Sequence, residues 1–97
     1  MIAVAGLGYW GPNLARNFDD LGVLSALCEL DPALQERYAA RYPQARMYGD
    51  FDELLADDGI DAVVIATPVP THYALARSAL AAGRHVLVEK PDRKSVV

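Results

Sequence analysis

The residues whose types and spacing point to chemistry fall into four groups. Gly6, Gly8 and Gly11 form a Gly-x-Gly-x-x-Gly pattern directly after the short apolar run Ile2–Ala5. In a strand-to-helix turn the first glycine permits the tight bend. The second lets a pyrophosphate approach the backbone, and the third lets the helix pack closely on the strand. The helix N-terminus then offers free N–H groups and partial positive charge to phosphate. The bland reading of the same glycines is a plain β–α turn. Glu29 and Asp31 lie 18 and 20 residues past Gly11. A carboxylate there can accept from the hydroxyls of an adenosine ribose and repels a 2′-phosphate, which favours NAD over NADP. Asp31 precedes Pro32 and reads mainly as a helix N-cap, which leaves Glu29 for the ribose. The third group, Ala66-Thr67-Pro68-x-x-x-His72, follows an apolar run. Thr67 and Pro68 are expected beside the cofactor with His72, whose imidazole is more often a structural hydrogen-bonder than a catalyst. The fourth, Glu89-Lys90-Pro91, holds the only lysine before the last few residues. An ammonium at a strand end could bind a substrate hydroxyl and stabilise negative charge developing on its oxygen. A surface lysine paired with Glu89 is the alternative.

These groups need particular elements to bring them together. Ile2–Ala5, Val23–Leu30, Arg46–Tyr48, Ala62–Ala66 and His85–Glu89 read as strands, the longer ones as apolar runs suited to a sheet covered on both faces. Between them, Leu14, Ala15, Phe18 and Leu21 give a first helix an apolar face, closed by Gly22. A second helix runs from Asp31-Pro32 through Leu34, Tyr38 and Tyr42, and stops before Pro43. Asp50 caps a short helix, Phe51–Ala56, with Glu53 at the capping-box position. Thr67–Pro70 reads as a loop, and Thr71–Ala82 as a helix ended by Gly83. Strands alternating with helices predict a doubly wound α/β fold, a parallel sheet of order 3-2-1-4-5 whose switch point lies between the first and fourth strands.

The chain has 97 residues, 53% hydrophobic and 23% charged, with a net charge of −4. That allows one globular domain at most. Without a basic surface, nucleic acid is not an expected partner. No apolar run reaches the ~20 residues of a membrane span, and the N-terminus lacks the basic start of a signal peptide. The single cysteine, Cys28, fits a reducing, cytoplasmic compartment. No metal is expected.

In combination and order, the motifs resemble the Gfo/Idh/MocA family of oxidoreductases, over residues 2–91. The most specific stretches are Gly6–Phe18, Ala66–His72 and Ala82–Pro91. The resemblance implies an N-terminal NAD(P)-binding Rossmann domain that continues, in family members, into a sixth strand and a C-terminal α+β domain. It implies hydride transfer to or from a hydroxyl-bearing carbon of a sugar, inositol or nucleotide sugar, in a protein expected to be a homo-oligomer. By resemblance Lys90 maps to the family's lysine near the reacting carbon. Tyr9 and Trp10 look like a variant seen in many nucleotide-sugar and polyol dehydrogenase-like members, and with Glu89 they join the expected cofactor contacts. Val69 departs from the pattern, since many relatives carry asparagine there. The tail Asp92–Val97 does not resemble the family. It matches the in-frame translation of a common sequencing adapter, so residues 92–97 are expected to be non-native and residues 1–91 a fragment without turnover of its own. A non-catalytic dinucleotide sensor is the competing function, and Glu-Lys-Pro argues against it.

Overall fold

A computed structural model of the chain describes residues 1–8 and 11–88. Among the described residues five strands and four helices alternate: β1 (Ile2–Ala5), α1 (Gly11–Asp20), β2 (Leu24–Cys28), α2 (Pro32–Arg41), β3 (Arg46–Tyr48), α3 (Phe51–Leu55), β4 (Ala62–Ile65), α4 (Val69–Ala81) and β5 (His85–Val88). All pairings are parallel, and the sheet order is β3-β2-β1-β4-β5. This is the doubly wound Rossmann-like topology that the alternation predicts.

The apolar strands serve two cores because successive side chains point to opposite faces. On one face Val4, Leu27 and Val64 meet Leu7, Ala15, Tyr38 and Tyr42, so α1 and α2 cover that side. On the other, Ala3, Ala5, Ala26, Val63 and Ile65 meet Leu54, Ile60 and Ala79, under α3 and α4. The switch of side between α2 and α3 opens the crevice between β1 and β4 at the strands' C-terminal ends.

The capping signals work largely as read. The Asp31 carboxylate accepts from the Ala33 amide (2.9 Å) with Pro32 at the head of α2, and Asp50 accepts from the Asp52 amide (3.0 Å) at the head of α3. Glu53 makes no return bond to Asp50 among the described hydrogen bonds, so the expected capping box is a single cap. Three further expectations need correction. Leu21 is 72% exposed rather than on the apolar face of α1, which has ended at Asp20. The second strand ends at Cys28, because its partner β3 offers only three residues, and Leu30 stands 81% exposed beyond it. The loop after β4 is shorter than Thr67–Pro70: α4 begins at Val69 and takes Pro70 into its first turn, where a missing N–H costs nothing. The Arg84 guanidinium ties the α4–β5 turn to the end of α3, donating to the carbonyls of Ala82 (2.9 Å), Leu55 (2.9 Å) and Asp57 (3.2 Å).

Candidate functional site

Because the strands are parallel, β1, β2 and β4 all deliver their following residues to one end of the sheet. The ladder carries past the strand ends there. Gly6 N–H donates to the Cys28 carbonyl (2.8 Å), Ala66 N–H to Ala5 (2.8 Å) and Glu29 N–H to Tyr48 (3.0 Å). The glycine turn, Glu29 and Thr67 are thereby held on adjacent strand ends.

The three glycines have different reasons to be glycine. Gly6 has φ +97°, and a Cβ there would lie 2.8 Å from the Ala66 carbonyl carbon and 2.9 Å from Thr67 Cγ2. Gly11 opens α1 against β1, and its Cβ would stand 1.6 Å from the Gly6 carbonyl oxygen. At Gly8 a Cβ would meet no described atom within 4 Å, and its φ is not in the left-handed region. Turn geometry and close packing therefore account for Gly6 and Gly11, whereas nothing among the described residues makes such a demand on Gly8. Its space lies open beside the start of α1, whose first turn carries no acidic side chain to repel an anion.

Glu29, half-buried, faces this turn. Its Oε1 accepts from the Leu7 N–H (2.7 Å) and its Oε2 from the Asp31 N–H (2.9 Å). A carboxylate has about four lone-pair positions, so two remain for hydroxyl donors. Cys28, just before it, is buried. Burial pushes its thiol up to about 12, with the carboxylates of Glu29, Asp50 and Glu53 adding to the effect, so it stays protonated and inert at neutral pH.

On the β4 side, hydrogen bonds close the loop from Thr67 to His72. The Thr67 and Thr71 hydroxyls pair at 2.6 Å, Thr71 Oγ1 donates to the Pro68 carbonyl (2.6 Å), and His72 Nε2 lies 2.6 Å from the Thr67 carbonyl. The imidazole holds Thr67 and Pro68 in place, which is the structural half of the two readings of His72. Pro68 is exposed and Thr67 half-buried at the crevice. Val69 is half exposed at the head of α4. Tyr9, Trp10, Glu89 and Lys90 lie outside the described residues, as does the tail 92–97.

Two contributors carried no signal in the sequence. Leu7 enters the site through its backbone N–H alone. Gln35, in α2, donates its side-chain amide to the Glu29 carbonyl (2.6 Å). No helix among the described residues is long and apolar enough to cross a membrane.

Residues 1–95 match the family model described as an oxidoreductase family with an NAD-binding Rossmann fold, GFO_IDH_MocA. Inositol 2-dehydrogenase of Acidothermus cellulolyticus is 34% identical over 93 residues, 93% of this chain and 27% of its own. Among solved structures, UDP-N-acetylglucosamine 3-dehydrogenase GnnA from Acidithiobacillus ferrooxidans superposes with a TM-score of 0.82 at 34% identity, covering 93% of this chain and 29% of that one. The WlbA dehydrogenase of Bordetella pertussis, in complex with NADH and UDP-GlcNAcA, gives 0.84 at 30% identity, covering 93% and 28%. The chain thus spans less than a third of the length of each of these relatives. All three are dehydrogenases, and none favours the non-catalytic sensor.

Proposed function

Since the chain belongs to the Gfo/Idh/MocA family of oxidoreductases, we propose that it is the cofactor-binding part of an NAD-dependent dehydrogenase acting on a hydroxyl-bearing carbon of a sugar, inositol or nucleotide sugar. The observation that carries the reading is the pairing of an open Gly8 with a Glu29 carboxylate held against the same turn. Bound dinucleotide supplies the hydride acceptor or donor. The chain's own residues supply the rest of the cradle. Gly8 lets the pyrophosphate reach the backbone, and the first turn of α1 directs N–H groups toward it. The free lone pairs of Glu29 accept from the ribose hydroxyls. Thr67 and Pro68, fixed by His72, line the crevice, with Tyr9, Trp10 and Glu89 as further contacts. The substrate wall and the partner for proton transfer belong to the remainder of a longer protein, of which residues 1–91 form the dinucleotide-binding part. We read its compartment as the cytoplasm, since a single cysteine suits a reducing environment.

The carboxylate of Glu29 repels a 2′-phosphate, so NAD binds in preference to NADP. Calorimetric titration with each dinucleotide tests this, and equal or tighter NADP binding removes Glu29 from the ribose. Lys90 follows β5 by two residues in the chain, and its proposed part is to hold the substrate oxygen and stabilise charge developing there. In a protein of the relatives' length, Lys90→Met lowers kcat/KM by about 10²–10³-fold, as removing one such donor does, with NAD affinity little changed. Near-normal turnover in that variant would make Lys90 a surface charge.

A further inference from the structure

Each polar atom of Glu29 takes part in one hydrogen bond, with three segments: β3, the glycine turn, and α2 with its cap. Its N–H donates to the Tyr48 carbonyl, Oε1 takes the Leu7 N–H from the glycine turn, and Oε2 takes the Asp31 N–H at the cap of α2. Its carbonyl takes the Gln35 side-chain amide at 2.6 Å, the shortest of the four. This last bond replaces one the sheet cannot make. In a parallel ladder that continued from Glu29 N–H to Tyr48 O, the Glu29 carbonyl would accept from the amide of residue 50. But β3 has ended at Tyr48, and the chain turns through Gly49 to the cap of α3. Gln35, one turn into α2, reaches back to supply the donor. Gly49 leaves room for it, since a Cβ at that position would lie 3.0 Å from the Gln35 side-chain nitrogen.

The next residue offers no other anchor, because Leu30 is 81% exposed. Without Gln35 the half-buried Glu29 carbonyl has no donor among the described residues, and the 29–30 peptide is free to turn toward water. That rotation carries the following Asp31 amide with it, and the Asp31 amide is what holds Oε2. We infer that Gln35 is a positioning residue: by holding the Glu29 carbonyl it aims the Glu29 carboxylate, and so sets the preference for a ribose with a free 2′-hydroxyl. The inference rests on the reading of Glu29 proposed above. Gln35 touches no cofactor in this account and acts only through Glu29.

The test uses the whole chain and Gln35→Met, which keeps the length and removes the donor. In amide NMR spectra without ligand, the Leu7 and Asp31 resonances shift relative to wild type while those of β4 stay in place. In calorimetric titrations the variant binds NAD about fivefold more weakly, the loss carried by one hydrogen bond, while NADP affinity moves by less than about twofold. The preference narrows because a misaimed carboxylate accepts poorly from the NAD ribose, whereas NADP has no 2′-hydroxyl donor to lose. Unmoved Leu7 and Asp31 amides overturn the inference. So does an equal loss for both dinucleotides, which is the mark of a merely structural residue. Should Gln35→Met fail to fold, Gln35→Ala decides, because it removes the same donor with a strong helix former and must narrow the preference in the same direction. If the two amides shift in Gln35→Met but the wild-type chain binds no NAD, the positioning of Glu29 stands and the ribose reading falls.

Discussion

A glycine spared by the fold is more informative than one the fold demands. Substituting Gly11 forces a Cβ to within 1.6 Å of a backbone oxygen, so Gly11→Ala must push α1 off β1. It should lower the thermal midpoint sharply or prevent folding, an overpacking cost of about 1–3 kcal/mol or more. Gly8→Val meets open space and an unstrained backbone, so circular-dichroism melting should change by only a few degrees while NAD binding is lost. A variant that still binds NAD would place the pyrophosphate elsewhere. The turn and packing tasks of Gly6 and Gly11 were legible in the sequence, because spacing after a strand assigns them. The placement of Glu29 against that turn was legible for the same reason. Gln35 was not, because its role exists only where β3 stops short of Glu29, and no local pattern announces a missing ladder donor. Leu21 and Leu30 misled for the opposite reason: each continues an apolar run beyond the point where a partner element is present to cover it.

Among the elements, the corner joining β3 to the end of α3 supports the site from behind. Tyr48 closes β3 and accepts the Glu29 N–H through its carbonyl, and its hydroxyl donates to Asp57 Oδ2 (2.8 Å). Arg46 donates to the same oxygen (2.5 Å), and Gly59 N–H to Oδ1 (2.9 Å). The Gly59 amide first, then Tyr48 and Arg46, hold the Asp57 carboxyl down to about 2. A carboxyl depressed on folding adds stability above its unfolded value, near 4, and that stability is lost as pH falls toward the folded value. The urea midpoint should therefore drop between about pH 4 and pH 2. The N-terminal amino group, paired with Asp61 and lowering its carboxyl, adds a slope of the same sign. Asp57→Asn should lower the midpoint at neutral pH and flatten most of the acid slope. An unchanged slope would shift the acid sensitivity to other carboxylates. None of this cluster stood out in the sequence, because Arg46, Tyr48 and Asp57 meet only once the strand and helix have packed. Elements were read well where a cap or apolar run marked them. The start of α4 was misplaced because Pro68 and Pro70 read as a loop, although a proline in a helix's first turn is favourable.

For the molecule as a whole, the strand order followed from alternation and handedness, but the degree of cover on each side did not. One face of the sheet lies under two ten-residue helices, α1 and α2. The other lies under α4 and a five-residue α3. On α4, Leu75, Ala76 and Ala79 pack toward the sheet. Val69, Tyr73 and Leu80, spaced four and seven residues apart, form the adjoining flank and stand 50%, 75% and 63% exposed. Val88 on β5, on the same face of the sheet as α4, is 38% exposed. Apolar side chains gathered in this way make a surface that water favours covering. The isolated chain should therefore self-associate as its concentration rises. A double variant, Tyr73→Glu with Leu80→Lys, keeps the net charge and places each sign at the helix end that suits it. It should remain monomeric to higher concentration in sedimentation velocity. Its thermal midpoint should hold, because exposed positions usually change stability by no more than about 0.5 kcal/mol. A large drop in melting temperature would mean that Tyr73 and Leu80 pack within the molecule, and a wild-type chain that stays monomeric throughout would mean the flank is not adhesive.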